Sequence, residues 1–209
     1  MPSLLIETLE SALSRYPSHL PESFGLLDDL RLSAIPEAIR SDKRKPHGWL
    51  EKVELESLVE WKLKHGKFRP NLAKLAASNE PETVRSATKD AFAGALAAIE
   101  KAMKTVSELK GVGPATASLL LSEWNPDIIP FFSDELFRAL HWHGTGDGIK
   151  STPKGKEWER KIGYTMKEYK SLVKQVGVLL EQLKRDGKQM KAIELEMAAY
   201  VLGKEKIDL

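Results

Sequence analysis

Apolar residues in this chain recur at helical spacing between Pro and Gly breakers, and no stretch alternates apolar with polar residues. That one feature excludes most architectures. Without period-2 segments there is no half-buried sheet, so the core has to be built from packed amphipathic helices. Ser3 to Arg15 puts Leu5, Ile6, Leu9 and Leu13 on one side and is expected to end at Tyr16-Pro17. A shorter segment starts at Pro21-Glu22-Ser23, with Phe24, Leu26, Leu27 and Leu30 repeating at helical spacing. Trp49 to His65 reads as a strong helix stopped by Gly66, followed by a short one over Asn71 to Ala77 and another starting at Pro81. An alanine-rich helix is expected from Thr88 through Ile99, and further helices over Met166 to Lys184 and Ala192 to Leu202. The expected fold is all-α, a single helical domain over residues 1–209.

Composition narrows the chemistry. The 209 residues include no cysteine, which excludes disulfides, thiolate zinc sites, iron–sulfur clusters and cysteine nucleophiles. No apolar run approaches the roughly 20 residues needed to cross a bilayer, and no secretory leader is visible at Met1-Pro2-Ser3-Leu4-Leu5-Ile6-Glu7. An intracellular, non-secreted, non-membrane protein is therefore expected. Net charge is only +2, but residues 40–74 are rich in Lys and Arg while the first 34 residues are acidic on balance. Such asymmetry can give a near-neutral protein one basic face. Lys43-Arg44-Lys45 lies in the polar loop 41–48 and reads best as solvated, with a weak nuclear-import patch as the alternative. The Lys residues of the two C-terminal helices read as an ordinary solvated surface.

The stretch with the most specific chemistry is Leu109-Lys110-Gly111-Val112-Gly113-Pro114-Ala115-Thr116-Ala117. A first helical arm is expected to close over Val106 to Leu109 and a second to run from Pro114 to Trp124, a hairpin over 106–124. Gly111 and Gly113 can take φ > 0 and lack side chains, so a polyanion can approach their backbone closely. Pro114 suits the first helical position, where its missing N–H costs nothing. The amides of Val112, Gly113 and the next turn would then face outward at a helix N-terminus, a seat for phosphate. An ordinary glycine turn between two helices is the plain alternative.

Two further segments bear on function. Trp61-Lys62-Leu63-Lys64-His65-Gly66-Lys67-Phe68-Arg69 interleaves aromatics with cations, as strand-binding surfaces do; Trp61 and Phe68 equally suit a core. Pro130-Phe131-Phe132-Ser133-Asp134-Glu135 leads into an acidic helix start over 133–140, with Ser133 or Asp134 as N-cap. His141 and His143 are spaced i, i+2, but no third ligand of suitable type is nearby, so no metal site is expected.

The string of apolar residue, Gly111-Val112-Gly113, helix starter and Thr116-Ala117 resembles the helix-hairpin-helix DNA glycosylase superfamily, over roughly residues 50 to 142. Lys110 departs from the proline usual at its place. The resemblance implies two helical lobes with a DNA cleft between them, and double-stranded DNA as partner of a monomer, located in the nucleus or elsewhere inside the cell. It implies phosphate contacts at Lys110, Gly111, Val112, Gly113, Ala115 and Thr116, and no cofactor beyond a monovalent cation, K+ or Na+, on the backbone of Leu109 and Val112. Trp61, Lys62, Lys67, Phe68 and Arg69 would form the base pocket or the wedge. Asp134 would be the catalytic carboxylate of a base-excision enzyme. Bifunctional members carry a Schiff-base lysine at the position of Ala115, so monofunctional N-glycosylase chemistry without β-lyase activity is expected. These features and the missing cluster look like the alkylpurine branch, with deaminated bases as the second substrate class. A gapless alignment to the lyase branch puts Ser133 at the catalytic place instead. A non-catalytic DNA-binding protein on the same scaffold therefore stands as the alternative, and a helical interaction module unrelated to DNA as the third.

Overall fold

The computed structural model describes residues 2–66, 69–141 and 157–207, and every regular element among them is helical. The chain divides into two compact units, Met1–Leu20 with Pro126–Leu209 in the first and Pro21–Asn125 in the second.

The first unit joins the two ends of the sequence. Helix α1 (Pro2–His19) packs along α11 (Ala192–Glu205). Leu9, Ala12 and Tyr16 are buried, and Tyr16 meets Tyr200 edge-on at 5.9 Å. α1 does not stop at Tyr16-Pro17 as expected. Pro17 sits in its last turn, where the missing N–H costs one bond, and Arg15 and His19 both reach Glu205, at 2.7 and 3.2 Å. The turn at Pro126-Asp127 offers its carbonyls as acceptors to the start of α11: Pro126 accepts from Ile193 N–H and Asp127 from Ala192 N–H. Short α9 (Asp134–Leu140) packs on α11, and the long α10 (Met166–Arg185) on α9. Tyr169 on α10 is buried and donates to the Pro130 carbonyl at 3.2 Å, which ties the approach to α9 in place.

The second unit begins with an almost unbroken helical path. A single 3₁₀ turn (Glu22–Phe24) leads into α2 (Gly25–Asp29), a π turn (Leu30–Ala34) and α3 (Ile35–Arg40). Pro36 lies at the start of α3, where its lack of an N–H is tolerated. Helix α4 (Lys52–His65) starts three residues later than its apolar pattern suggests, because Glu51 and Glu54 form a reciprocal capping box. Arg44 forks onto Glu54 at 2.8 and 3.0 Å, so the charged 41–48 loop is partly committed inside the protein.

α5 (Pro70–Ala77), α6 (Pro81–Gly94), α7 (Ile99–Val106) and α8 (Pro114–Trp124) complete the unit. The alanine-rich helix expected from Thr88 through Ile99 is divided. α6 runs on from Pro81 and ends at Gly94, the poorest helix former in the run, and α7 starts anew at Ile99. The first arm likewise ends at Val106, not Leu109, leaving residues 107–113 as a long turn. α8 is buried almost all round: Leu119, Leu120 and Leu121 are each fully inaccessible.

Candidate functional site

The 107–113 turn belongs to the 21–125 unit and is pinned from one side by Asn79. The Asn79 Oδ1 accepts the Lys110 N–H at 2.9 Å, and its Nδ2 donates to the Lys110 carbonyl at 2.9 Å and to Ala76 at 2.8 Å. One side chain thus satisfies both backbone groups of Lys110 while closing the end of α5. Gly111 takes φ +80°, and a Cβ there would stand 2.9 Å from the Ala76 nitrogen and the Leu72 carbonyl oxygen. This glycine is required by the packing of the turn on α5.

Gly113 is different. Its backbone is extended, at φ −92° and ψ −179°, so the positive φ expected of it is not used. It is exposed, and nothing lies within 4 Å of where its Cβ would stand. The fold therefore does not demand a glycine at 113; the open backbone there faces outward. Val112 does not contribute as expected, because its N–H donates to the Leu109 carbonyl at 3.1 Å and its side chain is buried. That bond also occupies one lobe of a carbonyl expected to hold a monovalent cation. The first helical N–H turned back along the axis is that of Ala117, onto the Gly113 carbonyl at 2.8 Å. The amides of Ala115 and Thr116 lie ahead of it in the first turn, where no intrahelical acceptor exists. Lys110, earlier in the turn, is exposed, and Thr116 is buried.

Trp61 is a correction to the expected base pocket. It is completely inaccessible and donates Nε1–H to Asp28 at 2.9 Å. His65 stacks on its ring at 4.4 Å, and the Arg31 guanidinium lies 4.0 Å from the ring centroid. No nucleobase can reach a ring enclosed on this scale; Trp61 is the centre of the 21–125 core. Lys62 is half-buried on α4, and Arg69 is exposed just before α5. Lys67 and Phe68 lie outside the described residues.

The acidic helix start lies in the other unit. Ser133, buried, is the N-cap of α9: its Oγ accepts the Leu136 N–H at 3.1 Å. Asp134 is therefore not consumed as a cap. Its side chain is about one-quarter exposed, accepts the Tyr164 hydroxyl on Oδ1 and accepts Arg138 Nη2 on Oδ2 at 3.2 Å. Arg138 is itself fixed by donating Nε–H to the Arg160 carbonyl at 3.0 Å. The carboxylate is thus held in one orientation by a cation and a phenol. His141, at the end of α9, is buried with Nδ1 against the Phe137 carbonyl at 2.9 Å and Nε2 against Ser171 at 2.8 Å. His143 lies outside the described residues.

Beside Asp134, Glu135 runs over Gly203 of α11, whose added Cβ would stand 2.7 Å from the Glu135 Cγ and 3.2 Å from Trp158. Burial pushes the Glu135 carboxyl up from the usual 4.5 to about 7, and the neighbouring Asp134 and Glu196 carboxylates add to the rise. The folded chain then holds this proton more tightly than the unfolded chain does. The stability contributed by neutral Glu135 is complete below the unfolded value and is lost as pH rises through about 7. Glu135→Gln, which stays neutral, is expected to gain stability over wild type as pH rises from about 5 to about 8 in urea titrations. A difference that stays flat across that range contradicts the assignment.

Sequence reasoning missed Asn79 and Tyr164. Asn79 stands in the short link between α5 and α6 and looks like ordinary turn chemistry, while its partner is 31 residues away. Tyr164 is 30 residues from Asp134 and carries no local motif. Among the described residues no group of His, Cys, Asp or Glu is placed to hold a metal ion, and no helix is long and apolar enough to cross a membrane. The chain matches no protein-family model, and neither a curated protein nor a solved structure matches it.

Proposed function

We propose that this chain is a DNA-binding base-excision protein of the helix-hairpin-helix glycosylase kind, a monofunctional N-glycosylase acting as a monomer on double-stranded DNA, in the nucleus or elsewhere inside the cell. The observation that carries the enzymatic reading is that Ser133 caps α9, which leaves the Asp134 carboxylate part-exposed and rigidly oriented. Cleaving an N-glycosidic bond builds oxocarbenium character on the sugar, and a fixed carboxylate stabilises that charge and orients water. The exposed, extended backbone at Gly113, with nothing within 4 Å of where a Cβ would stand, supports the DNA-binding part. First-turn amides of α8 that lack an intrahelical acceptor, with an exposed Lys110 earlier in the same turn region, suit a backbone phosphate. Ala115 offers no amine for a Schiff base, so the base is released without strand cleavage. Cationic N7- or N3-alkylpurines are the favoured substrates, because their weakened glycosidic bonds ask least of one carboxylate; deaminated bases come second.

The test is base release from a panel of damaged duplexes. Asp134→Asn is expected to lower kcat by about 100-fold, the scale of losing one electrostatic stabiliser. Full activity in that variant removes Asp134 from the chemistry.

A specific observation favours a second reading. Both Asp134 oxygens are already engaged within the protein, as in a purely structural carboxylate. A DNA-binding protein without chemistry would show salt-dependent duplex binding and release no base from any substrate. Absence of duplex binding even at low salt would remove both readings in favour of a helical interaction module.

A further inference from the structure

Tyr164 has a left-handed backbone, φ +53°, which an aromatic side chain rarely adopts. Such a conformation persists only where the surroundings over-determine it. Here they do. The Glu168 carboxylate grips the residues before and after Tyr164: Oε1 accepts the Gly163 N–H at 3.0 Å, and Oε2 accepts the Thr165 N–H at 2.8 Å and the Thr165 hydroxyl at 2.9 Å. The Thr165 hydroxyl oxygen in turn accepts the Glu168 N–H at 3.2 Å, so the clamp doubles as the N-terminal box of α10. A glycine at 163 leaves room for the clamp, since a Cβ there would stand 3.1 Å from Glu168 Oε2. From this bent backbone the Tyr164 ring packs against Phe132 at 5.5 Å, and its hydroxyl donates to Asp134 Oδ1.

A capping box closes α10 without any need for a left-handed tyrosine in front of it. What the left-handed turn adds is the direction of the phenol. We propose that Tyr164 is a positioning residue for the Asp134 carboxylate, aimed at Oδ1 by the Glu168 clamp across residues 163–165. This deepens the base-excision reading and rests on it for its catalytic meaning. Arg138 holds Oδ2 and Tyr164 holds Oδ1, so the carboxyl plane is fixed from two sides before any substrate arrives. Phe132, the residue before the α9 cap, supports the phenol ring, which couples the approach to α9 with the approach to α10.

The test uses the full chain and two variants. Tyr164→Phe keeps the ring on Phe132 and removes only the hydroxyl. Glu168→Gln keeps the length of the clamp but leaves one backbone N–H facing an NH₂ group. The first readout needs no DNA: the rate at which a water-soluble carbodiimide with glycine ethyl ester labels Asp134, read by peptide mass spectrometry, with exposed Asp42 as internal reference. Labelling of Asp134 is expected to rise about fivefold or more in both variants, with Asp42 unchanged, because a carboxylate oxygen released from its hydroxyl donor is uncovered to the reagent. Unchanged Asp134 labelling in Tyr164→Phe overturns the proposal; so does a rise in Tyr164→Phe that Glu168→Gln fails to reproduce, since the clamp is then not what aims the phenol. The second readout is base release, where Tyr164→Phe is expected to lower kcat about tenfold with KM unchanged. If wild-type protein releases no base while Asp134 labelling still rises in both variants, the base-excision reading fails and the positioning of Asp134 stands.

Discussion

Glu123→Ala is expected to destabilise the 21–125 unit by about 3–5 kcal/mol, the scale found when one member of a buried ion pair is removed. Glu123 on α8 and Arg31 in the π turn are both completely inaccessible, with Nε 3.4 Å from Oε1. The guanidinium also lies over the Trp61 face, and Trp61 is tied to Asp28. Truncating Glu123 takes its carboxylate away from a buried arginine charge in a low-dielectric core and leaves a void beside it. Against a total stability of about 5–15 kcal/mol for a domain, that loss is enough to unfold a marginal one. Removing both charges is a different matter. Arg31→Met with Glu123→Leu is expected to recover most of the loss, because the pair's attraction is largely offset by its desolvation. Urea unfolding of the single and double variants decides it, and a Glu123→Ala loss below about 1 kcal/mol means the pair does not organise this core.

The same cluster shows what could be read from the chain and what could not. The helices were legible because their apolar spacing is local: α4, α8, α10 and α11 lie within a few residues of where periodicity puts them. The break at Gly94 and the early end of α7 were not, because alanine-rich sequence favours helix on either side and packing decides where it stops. Trp61 was ambiguous in principle. Alternating aromatics and cations describe a strand-binding surface and a snorkelling core helix equally well, and the deciding partner, Asp28, is 33 residues upstream. In the acidic helix start, composition could place two cap residues but not choose between them; that choice rests on a single 3.1 Å bond from the Leu136 N–H to Ser133. Tyr164 is invisible for a similar reason. Its role comes from a backbone twist set by Glu168, and nothing in the residue types announces a left-handed tyrosine.

The two glycines of the 107–113 turn are expected to behave as opposites, and the contrast tests the binding surface more sharply than either variant alone. Gly111→Ala puts a Cβ on a residue at φ +80° and within 2.9 Å of two backbone atoms of α5. The left-handed conformation costs an ordinary residue roughly 1–2 kcal/mol and the overlap about as much again, so a loss near 3 kcal/mol is expected. Because the overlapping atoms are backbone, the strain cannot be relieved by a rotamer change, and the Asn79 pairing with Lys110 has to shift with the turn. Gly113→Ala meets nothing within 4 Å and an extended backbone, so stability is expected to stay the same or rise by up to about 1 kcal/mol through a less flexible unfolded chain. Duplex affinity separates the roles in the other direction. Gly113→Glu, on a fold left intact, is expected to weaken duplex binding by at least tenfold, since a carboxylate would stand where the Ala115 and Thr116 amides meet phosphate. Thermal unfolding and duplex titration at two salt concentrations read both effects. A Gly113→Glu protein that keeps both its stability and its duplex affinity would show that no phosphate sits at the start of α8.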